Sequence, residues 1–396
     1  MPKILRIINR FNLGGPTFNA ALLTKHMSPE FETLLVGGRE EDSEESSQYI
    51  LKNLGIEAHL IDEMQRDIGL SNDRQAYFRV KELIKKYQPD IIHTHASKAG
   101  AIGRAAGIAY GKAKMVHTFH GHVFHSYFGK LKTNIYKNIE RALAHRTDKI
   151  IAISPIQKEE LAKQYRICSE NKIEVIPLGF DLKKFQVDNM SKRVAFRKEY
   201  GIDDDEIAIG VVGRLVPIKN HKLFLDAIKE ISQRTKKKIR AFIVGDGEER
   251  ENLKEYTSLI GLDYLNGDFK RGMKATVHFT SWIKNIDVVN AGMDIIALTS
   301  LNEGTPVSLI EAQASCKPIV ATRVGGVSNI VQHNETALLS ESNCLEGFSE
   351  NLLKLVESKE LRHDLGENGW ARVNEKFHYS RLISDMSTLY NTLLAE

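Results

Sequence analysis

Residues 207–220 read Ile207-Ala208-Ile209-Gly210-Val211-Val212-Gly213-Arg214-Leu215-Val216-Pro217-Ile218-Lys219-Asn220. The first six are apolar or small, a short continuous run suited to a strand buried on both faces. Gly213 breaks the run, two cations follow at Arg214 and Lys219, and a helical pattern starts near Asn220. Strand, loop and helix open a βα unit, and here they open a series. Further strands are expected at Ala241–Val244, Thr276–Phe279, Asp294–Leu298 and Pro318–Ala321, with amphipathic stretches between them.

The same rhythm fills the upstream half. Ile4–Ile8, Glu32–Val36, Ile91–Thr94, Met115–Phe119 and Ile150–Ile153 read as buried strands. Pro16–His26, Ala76–Tyr87, Ser97–Tyr110 and Lys130–Arg146 read as helices between them. Repeated βαβ units predict parallel sheets with helices on both faces. The rhythm pauses over 177–205, which ends in Asp203-Asp204-Asp205 and reads as an interdomain linker. The expectation is two Rossmann-like, doubly wound α/β domains, 1–180 and 206–375. A last helix, Tyr379–Leu394, has no strand after it, and 379–396 is expected to pack back on the first domain. At 396 residues the chain exceeds one ordinary core. Two open sheets facing across a cleft bind ligands outside the carboxyl ends of their strands.

Composition removes several functions. A net charge of +4 gives no support to nucleic acid as the main partner. The run Lys236–Arg240 reads as a solvated turn entering a strand. Cys168, Cys316 and Cys344 are odd in number, far apart and without a CxxC, so neither a disulfide framework nor a zinc knuckle is indicated. No secretory pattern precedes the strand-like Ile4–Ile8, and no run of ~18 apolar residues spans a membrane. A cytoplasmic location is expected, in which the sequon Asn334-Glu335-Thr336 carries no meaning.

Several loops could carry chemistry. Asn12-Leu13-Gly14-Gly15-Pro16 follows the first strand and opens a helix. Its free amides could face a phosphate or acceptor group, or the loop is simply a tight turn. Arg214 offers a planar fork and Lys219 a point charge to phosphate oxygens, and the dipole of the next helix favours the same anion. There is no Walker A motif. Gly245-Asp246-Gly247 follows another strand, where glycines permit close approach of a base or phosphate.

The most informative stretch is Thr299-Ser300-Leu301-Asn302-Glu303-Gly304-Thr305-Pro306-Val307-Ser308-Leu309-Ile310-Glu311. Thr305 is expected to cap a helix and Pro306 to take its first position. The amides of Val307 and Ser308 stay available to an anion. Glu303 before the helix and Glu311 on it can accept hydrogen bonds from sugar or ribose hydroxyls. Glu311 has apolar or small neighbours, and a carboxylate in such company usually has a partner.

Six histidines lie in His93–His125: His93, His95, His117, His120, His122 and His125. They sit at two strand ends without an HExxH or a companion carboxylate cluster, so hydrogen bonding to sugar is favoured over metal binding. Phe128, Leu131, Ile135, Ile139 and Leu143 are expected to share the side of their helix that packs on the sheet, in preference to a membrane-surface role.

Together these segments resemble the family 4 retaining glycosyltransferases, which have the GT-B fold. The resemblance spans nearly the whole chain: Gly14-Gly15, Gly213-Arg214 to Lys219, Gly245-Asp246-Gly247 and the E-x7-E of Glu303 and Glu311. His93-Thr94-His95-Ala96-Ser97-Lys98-Ala99-Gly100 and His117-Thr118-Phe119-His120-Gly121-His122 look like a bacterial subgroup that builds capsular, exopolysaccharide or other surface glycans. The resemblance implies a metal-independent hexosyl- or N-acetylhexosaminyltransferase using a nucleotide-sugar, UDP-linked, as substrate, with no cofactor. Arg214 and Lys219 would hold the diphosphate and Glu311 the ribose. Glu303 and the amides after it, with Thr305, Val307 and Ser308, would bind the transferred sugar. His120 would contact that sugar, Gly15 would approach the diphosphate or acceptor, and Gly245 and Ile283 would lie by the nucleotide. The acceptor implied is a saccharide or lipid-linked saccharide, with peripheral association at the inner membrane surface. Thr305 stands where this family often has an aromatic residue and Pro306 where it often has glycine, which leaves the sugar open. Two other readings share the donor site: a UDP-N-acetylglucosamine 2-epimerase-like isomerase and a non-catalytic nucleotide-sugar-binding protein.

Overall fold

The computed structural model describes residues 1–12, 15–40, 47–65, 69–121, 130–267 and 274–396. Gly14, His122, His125 and Phe128 lie outside the described residues, and so does the side chain of Leu131. Two compact units are present, Met1–Phe180 with Phe377–Glu396, and Asp181–Lys376.

The first unit is built on seven strands: β1 (Lys3–Arg10), β2 (Glu32–Gly38), β3 (His59–Leu60), β4 (Ile91–His95), β5 (Lys114–Phe119), β6 (Lys149–Ala152) and β7 (Ile173–Val175). Their spatial order is β3-β2-β1-β4-β5-β6-β7, all pairings parallel. The order reverses direction between β1 and β4, which is the switch point of a doubly wound sheet. Successive strand residues point to opposite faces. Ile4 and Ile91 therefore meet Leu382, Met386 and Leu389 on one side, while Leu5 and Ile92 meet Val80, Ile84 and Ala106 on the other.

The helix Tyr379–Ala395 thus completes one face of the first sheet. A buried polar bridge accompanies its apolar contacts. Arg6 Nη2 donates to the Tyr390 hydroxyl at 3.3 Å, and that hydroxyl pairs with His93 Nδ1 at 2.6 Å. Tyr390→Phe is expected to leave a buried guanidinium N–H and an imidazole nitrogen short of a partner, at about 1–3 kcal/mol. Urea unfolding measures this, and an unchanged midpoint would remove the bridge from the account.

The helix Lys130–His145 differs from expectation. Ile135 and Ile139 are exposed at 52% and 45%, and the buried positions are Glu140 and Ala144. The phase is set by an ion pair, since Glu140 Oε2 accepts from Arg104 Nη2 at 2.6 Å, with both side chains nearly inaccessible. Among the described residues no helix is long and apolar enough to cross a membrane.

The second unit has β8 (Glu206–Val212), β9 (Lys238–Val244), β10 (Tyr264–Asn266), β11 (Val277–Phe279), β12 (Ile295–Leu298), β13 (Ile319–Thr322) and β14 (Ala337–Ser340). The order is β10-β11-β9-β8-β12-β13-β14, again wholly parallel, with its switch point between β8 and β12. The stretch read as a linker is largely structured within this unit. It carries the helix Asn189–Glu199, whose Arg193 and Arg197 both bind the Asp294 carboxylate, at 2.7 and 3.1 Å. Phe196 is buried there and stacks on Tyr200. The basic run also departs from a simple turn: Lys238 already begins β9, and Arg240 is buried 3.5 Å from Glu206.

Candidate active site

A switch point leaves the loops after its two central strands diverging, which opens a crevice at their carboxyl ends. In the second unit those loops follow β8 and β12, and they carry the residues singled out by sequence. After β8 the chain passes Gly213 and Arg214, makes a single 3-10 turn at Pro217–Lys219, and enters the helix His221–Arg234 through Asn220. After β12 it passes Thr299 to Pro306 and enters the helix Val307–Ala314.

Two hydrogen bonds lock these loops together, and a third fastens the second loop to β13. Leu301 N donates to Ile218 O at 2.8 Å and Thr299 Oγ1 to Lys219 O at 3.0 Å. Thr322 Oγ1, at the end of β13, donates to Ser300 O at 2.6 Å. At the centre, Lys219 Nζ and Ser300 Oγ each donate to Glu303 Oε1 at 2.6 Å. The pair is largely enclosed, with side-chain exposures of 24% for Lys219 and 10% for Glu303. The Glu303 backbone is held as well, its carbonyl accepting from Gly326 N at 2.8 Å. A Cβ on Gly326 would lie 1.7 Å from Gly304 O, so only glycine allows this approach. Both donors use Oε1, which leaves Oε2 of a fixed carboxylate for a hydroxyl.

Arg214 differs in kind. It is exposed and its side chain has no hydrogen-bond or ion-pair partner among the described residues. The cation read as Lys219's companion is thus uncommitted, whereas Lys219 is engaged. Beneath them His221 is buried, and burial, reinforced by Lys219, lowers its imidazole pKa to about 4. The local excess positive charge therefore comes from Arg214.

Thr305 does not cap the helix at 307. Its flanking residue is Pro306, at φ −72° and ψ 94°, and no side chain caps it. The uncapped amides of Val307 and Ser308 are the first of the helix, the positions without intrahelical acceptors. One turn on, the Glu311 carboxylate makes no hydrogen bond or ion pair among the described residues. Burial pushes its pKa up to about 7, with Lys184 lowering it and Asp287 raising it.

The loops after β9 and β11 extend the site along the sheet. Gly245 packs against the first loop, where a Cβ would meet Gly213 O at 2.0 Å. Its glycine is thereby required for loop-to-loop packing. Asp246 accepts from Gly247 N at 2.8 Å and from Ser281 Oγ at 2.9 Å, tying the β9 loop to the segment holding Ile283. Ser300, Thr322 and Ser281 had no assigned role in the sequence reading. Their hydroxyls are anonymous until the fold brings them to their partners.

In the first unit Gly15 opens the helix Gly15–His26 after β1. The nearest atom to a Cβ added there is Leu178 Cδ1 at 3.8 Å, so the helix start is uncrowded. The described histidines gather at the ends of β4 and β5. His93 Nε2 pairs with Thr118 Oγ1 at 2.7 Å, His117 Nδ1 with Thr94 Oγ1 at 2.8 Å, and His95 Nδ1 with His120 Nε2 at 2.8 Å. Burial lowers the pKa of all four, that of His120 to about 3, so they are neutral near pH 7. Among the described residues no group of three or more His, Cys, Asp or Glu side chains is arranged to hold a metal ion.

Comparison with known proteins agrees with this geometry. Residues 192–372 match the family model for glycosyl transferases group 1, and 34–184 match that for glycosyltransferase family 4. The chain is 29% identical over 336 residues to the UDP-Gal:alpha-D-GlcNAc-diphosphoundecaprenol alpha-1,3-galactosyltransferase of Escherichia coli, covering 85% of this chain and 84% of that one. It is 28% identical to the capsular polysaccharide biosynthesis glycosyltransferase CapM of Staphylococcus aureus, with 86% of each chain covered. The crystal structure of Anabaena Alr3699/HepE in complex with UDP shares the fold, at TM-score 0.79 and 18% identity over 98% of this chain and 100% of that one. With both models matched in sequence order and two doubly wound sheets beneath them, the chain belongs to the family 4 glycosyltransferases of the GT-B fold.

Proposed function

We propose that this glycosyltransferase moves a hexose or N-acetylhexosamine from a UDP-sugar to a saccharide or lipid-linked saccharide in bacterial surface-glycan synthesis, with retention at the anomeric carbon and no metal ion. The observation that carries this reading is the Lys219–Glu303 pair fixed at a switch point, with the uncommitted Arg214 on the same loop. The UDP-galactose donor and diphosphoundecaprenol-linked acceptor in the name of the Escherichia coli relative support the substrate classes. A lipid-linked acceptor would bring the enzyme to the cytoplasmic membrane face as a peripheral protein, and the exposed Ile135 and Ile139 are compatible with that.

The roles follow from the chemistry. Breaking the bond between the anomeric carbon and the diphosphate oxygen leaves negative charge on the phosphate and oxocarbenium character on the sugar. Arg214, Lys219 and the uncapped amides of Val307 and Ser308 would meet that negative charge, and preorganised stabilisation of this sort is usually the largest catalytic term. Glu303 would hold the sugar through Oε2 and Glu311 the ribose. In the first unit His120 is the candidate for contact with the transferred sugar, and Gly15 for contact with the diphosphate or acceptor. The acceptor hydroxyl attacks the face that the diphosphate leaves, and its proton passes to the departing phosphate oxygen. A thermal-shift screen of UDP-, GDP- and ADP-sugars tests the donor class, since a ligand raises stability with its concentration over Kd. Stabilisation by GDP- or ADP-sugars alone overturns UDP. Incubation with UDP-N-acetylglucosamine alone separates transfer from 2-epimerisation, which would invert C2 with no acceptor present.

Glu311 gives this reading a pH signature. Its folded pKa of about 7 lies above the ~4.3 of a free glutamate, so the folded state holds the proton more tightly. That contribution to stability is full below ~4.3 and is lost as pH rises through about 7. An ionised carboxylate accepts two ribose hydroxyls better than an acid does. UDP-sugar affinity is therefore expected to rise between about pH 6 and pH 8, and to do so less in Glu311→Gln. Calorimetric titration across that range checks it, and an identical pH slope in the variant counts against the assignment.

A further inference from the structure

At one edge of the second sheet β10, β11 and β9 lie side by side, and the helix Arg250–Leu259 begins near their carboxyl ends. The first residue of that helix reaches all three strands with one guanidinium. Arg250 Nη1 donates to Gly245 O at 3.2 Å, directly after β9, and to Thr280 O at 2.7 Å, directly after β11. Arg250 Nη2 donates to Asn266 Oδ1 at 2.7 Å, on the last residue of β10, and to Phe279 O at 3.4 Å, on the last residue of β11. Asp246 Oδ2 lies 3.7 Å from Nη1, and the Arg250 side chain is only 14% exposed.

Carbonyls past the last ladder bonds of a strand still need donors. A planar group with several N–H bonds in a fixed fork supplies carbonyls on neighbouring strands at once, whereas the point charge of a lysine does not. The segment held by these contacts is 281–285, which has no regular structure and joins β11 to the helix Ile286–Gly292. It is fastened at its start by Arg250 on Thr280 and by Ser281 Oγ, which donates to Asp246 Oδ2 at 2.9 Å. Just past its end the Asp287 carboxylate pairs with Lys192 Nζ at 2.8 Å. The helix Ile286–Gly292 packs on the helix Val307–Ala314, which carries Glu311. Asp287 is accordingly one of the charges that act on the Glu311 carboxylate. Residues 281–285 therefore run from the guanidinium clamp to the neighbourhood of Glu311, with Trp282 on the way 48% exposed.

We propose that Arg250 is a positioning residue for the donor, holding residues 281–285 as the wall against which the uracil of a UDP-sugar rests when Glu311 holds its ribose. This rests on the proposed UDP-sugar reading and on Glu311 as the ribose group. A nucleotide continues from its ribose to its base, and the chain beside Glu311 is the one that Arg250 fixes. An irregular segment left loose would have to be ordered by each incoming nucleotide, and that ordering weakens binding. Arg250 orders it beforehand. Its own N–H groups are engaged by the protein, so it acts through the segment and not on the ligand.

Arg250→Lys keeps a positive charge beside Asp246 and gives up the fork. In this variant amide hydrogen exchange over 281–285 is expected to quicken by about tenfold or more. UDP is expected to bind about tenfold more weakly, and inorganic pyrophosphate, which has no base to rest on the wall, within about twofold of its unmutated affinity. Arg250→Met keeps the stem without a donor, and should bind UDP more weakly still with pyrophosphate again unmoved. Should Arg250→Met fail to fold, Arg250→Lys decides alone. Equal losses for UDP and pyrophosphate would mark a merely structural arginine and overturn the proposal. Unchanged UDP affinity beside a loosened segment overturns it too. Unmutated protein that binds pyrophosphate and no UDP would overturn the UDP reading itself, whereas UDP bound equally by unmutated protein and variants overturns the role of Arg250 alone.

Discussion

Arg214→Ala is expected to lower kcat by ~10²-fold or more while leaving the unfolding midpoint where it was. The two parts have separate origins. Its guanidinium is exposed and has no partner among the described residues, so removing it breaks no contact of the folded protein. Its proposed contribution arises only when an anion is present and grows as charge collects on the leaving phosphate. Lys219→Ala is expected to lose at least as much turnover and to lose stability as well. Glu303, with its side chain only 10% exposed, would keep Ser300 as its one remaining side-chain donor among the described residues. Leaving a carboxylate in that state costs about 1–3 kcal/mol. Steady-state kinetics with urea unfolding on both variants separates the residues. Near-normal turnover by both folded variants would remove the diphosphate site from this loop. Equal stability losses would show that Arg214 has a structural partner after all.

The contrast between these cations marks how far the sequence could be read. Ile207–Val212 was legible as a strand because burial on both faces leaves a continuous apolar run, and β8 follows it closely. The helix after Asn220 was legible for a similar reason, with Leu223, Phe224 and Leu225 buried at its start. The two- and three-residue strands His59–Leu60, Ile173–Val175 and Tyr264–Asn266 are too short to show any period. The helix Lys130–His145 turns a different side inward from the one its apolar spacing predicts, for a different reason. Its phase depends on Arg104, which is 36 residues from Glu140, and no local periodicity encodes a distant ion pair. Thr305-Pro306 misled at closer range. Proline suits a first helical position, but here ψ of 94° makes Pro306 the residue outside the helix.

The candidate site divides in the same way. Arg214, Lys219, Glu303 and Glu311 stood out because charged residues beside strand ends are conspicuous in a buried-strand pattern. That Lys219 and Glu303 bind each other, across 84 residues, required the order of the sheet. Ser300, Thr322 and Gly326 fix Glu303 through contacts that involve strand ends adjacent only in space. Asp246 illustrates the limit from the other side: a conspicuous Gly-Asp-Gly turns out to tie two loops together through Ser281.

Glu303→Gln is expected to move turnover and product affinity in opposite directions. The amide oxygen can still accept from Ser300 Oγ, so the side chain keeps its place. The negative charge is lost, and with it the partner that holds Lys219 Nζ at 2.6 Å. Lys219 is then free to turn its full charge to a diphosphate, and an anion no longer sits beside the phosphate site. UDP should therefore bind several-fold tighter to the variant, the sign that Coulomb's law requires for removing a nearby like charge. Transfer should nevertheless fall by about 10²-fold, because the carboxylate is the group proposed to hold the sugar as positive character builds on its ring. Tighter UDP binding also slows release of the product, which would depress steady-state turnover alone. Single-turnover measurement separates the two, since a loss there belongs to chemistry. UDP bound more weakly, together with an unimpaired single turnover, would show that Glu303 holds Lys219 in place and touches no sugar.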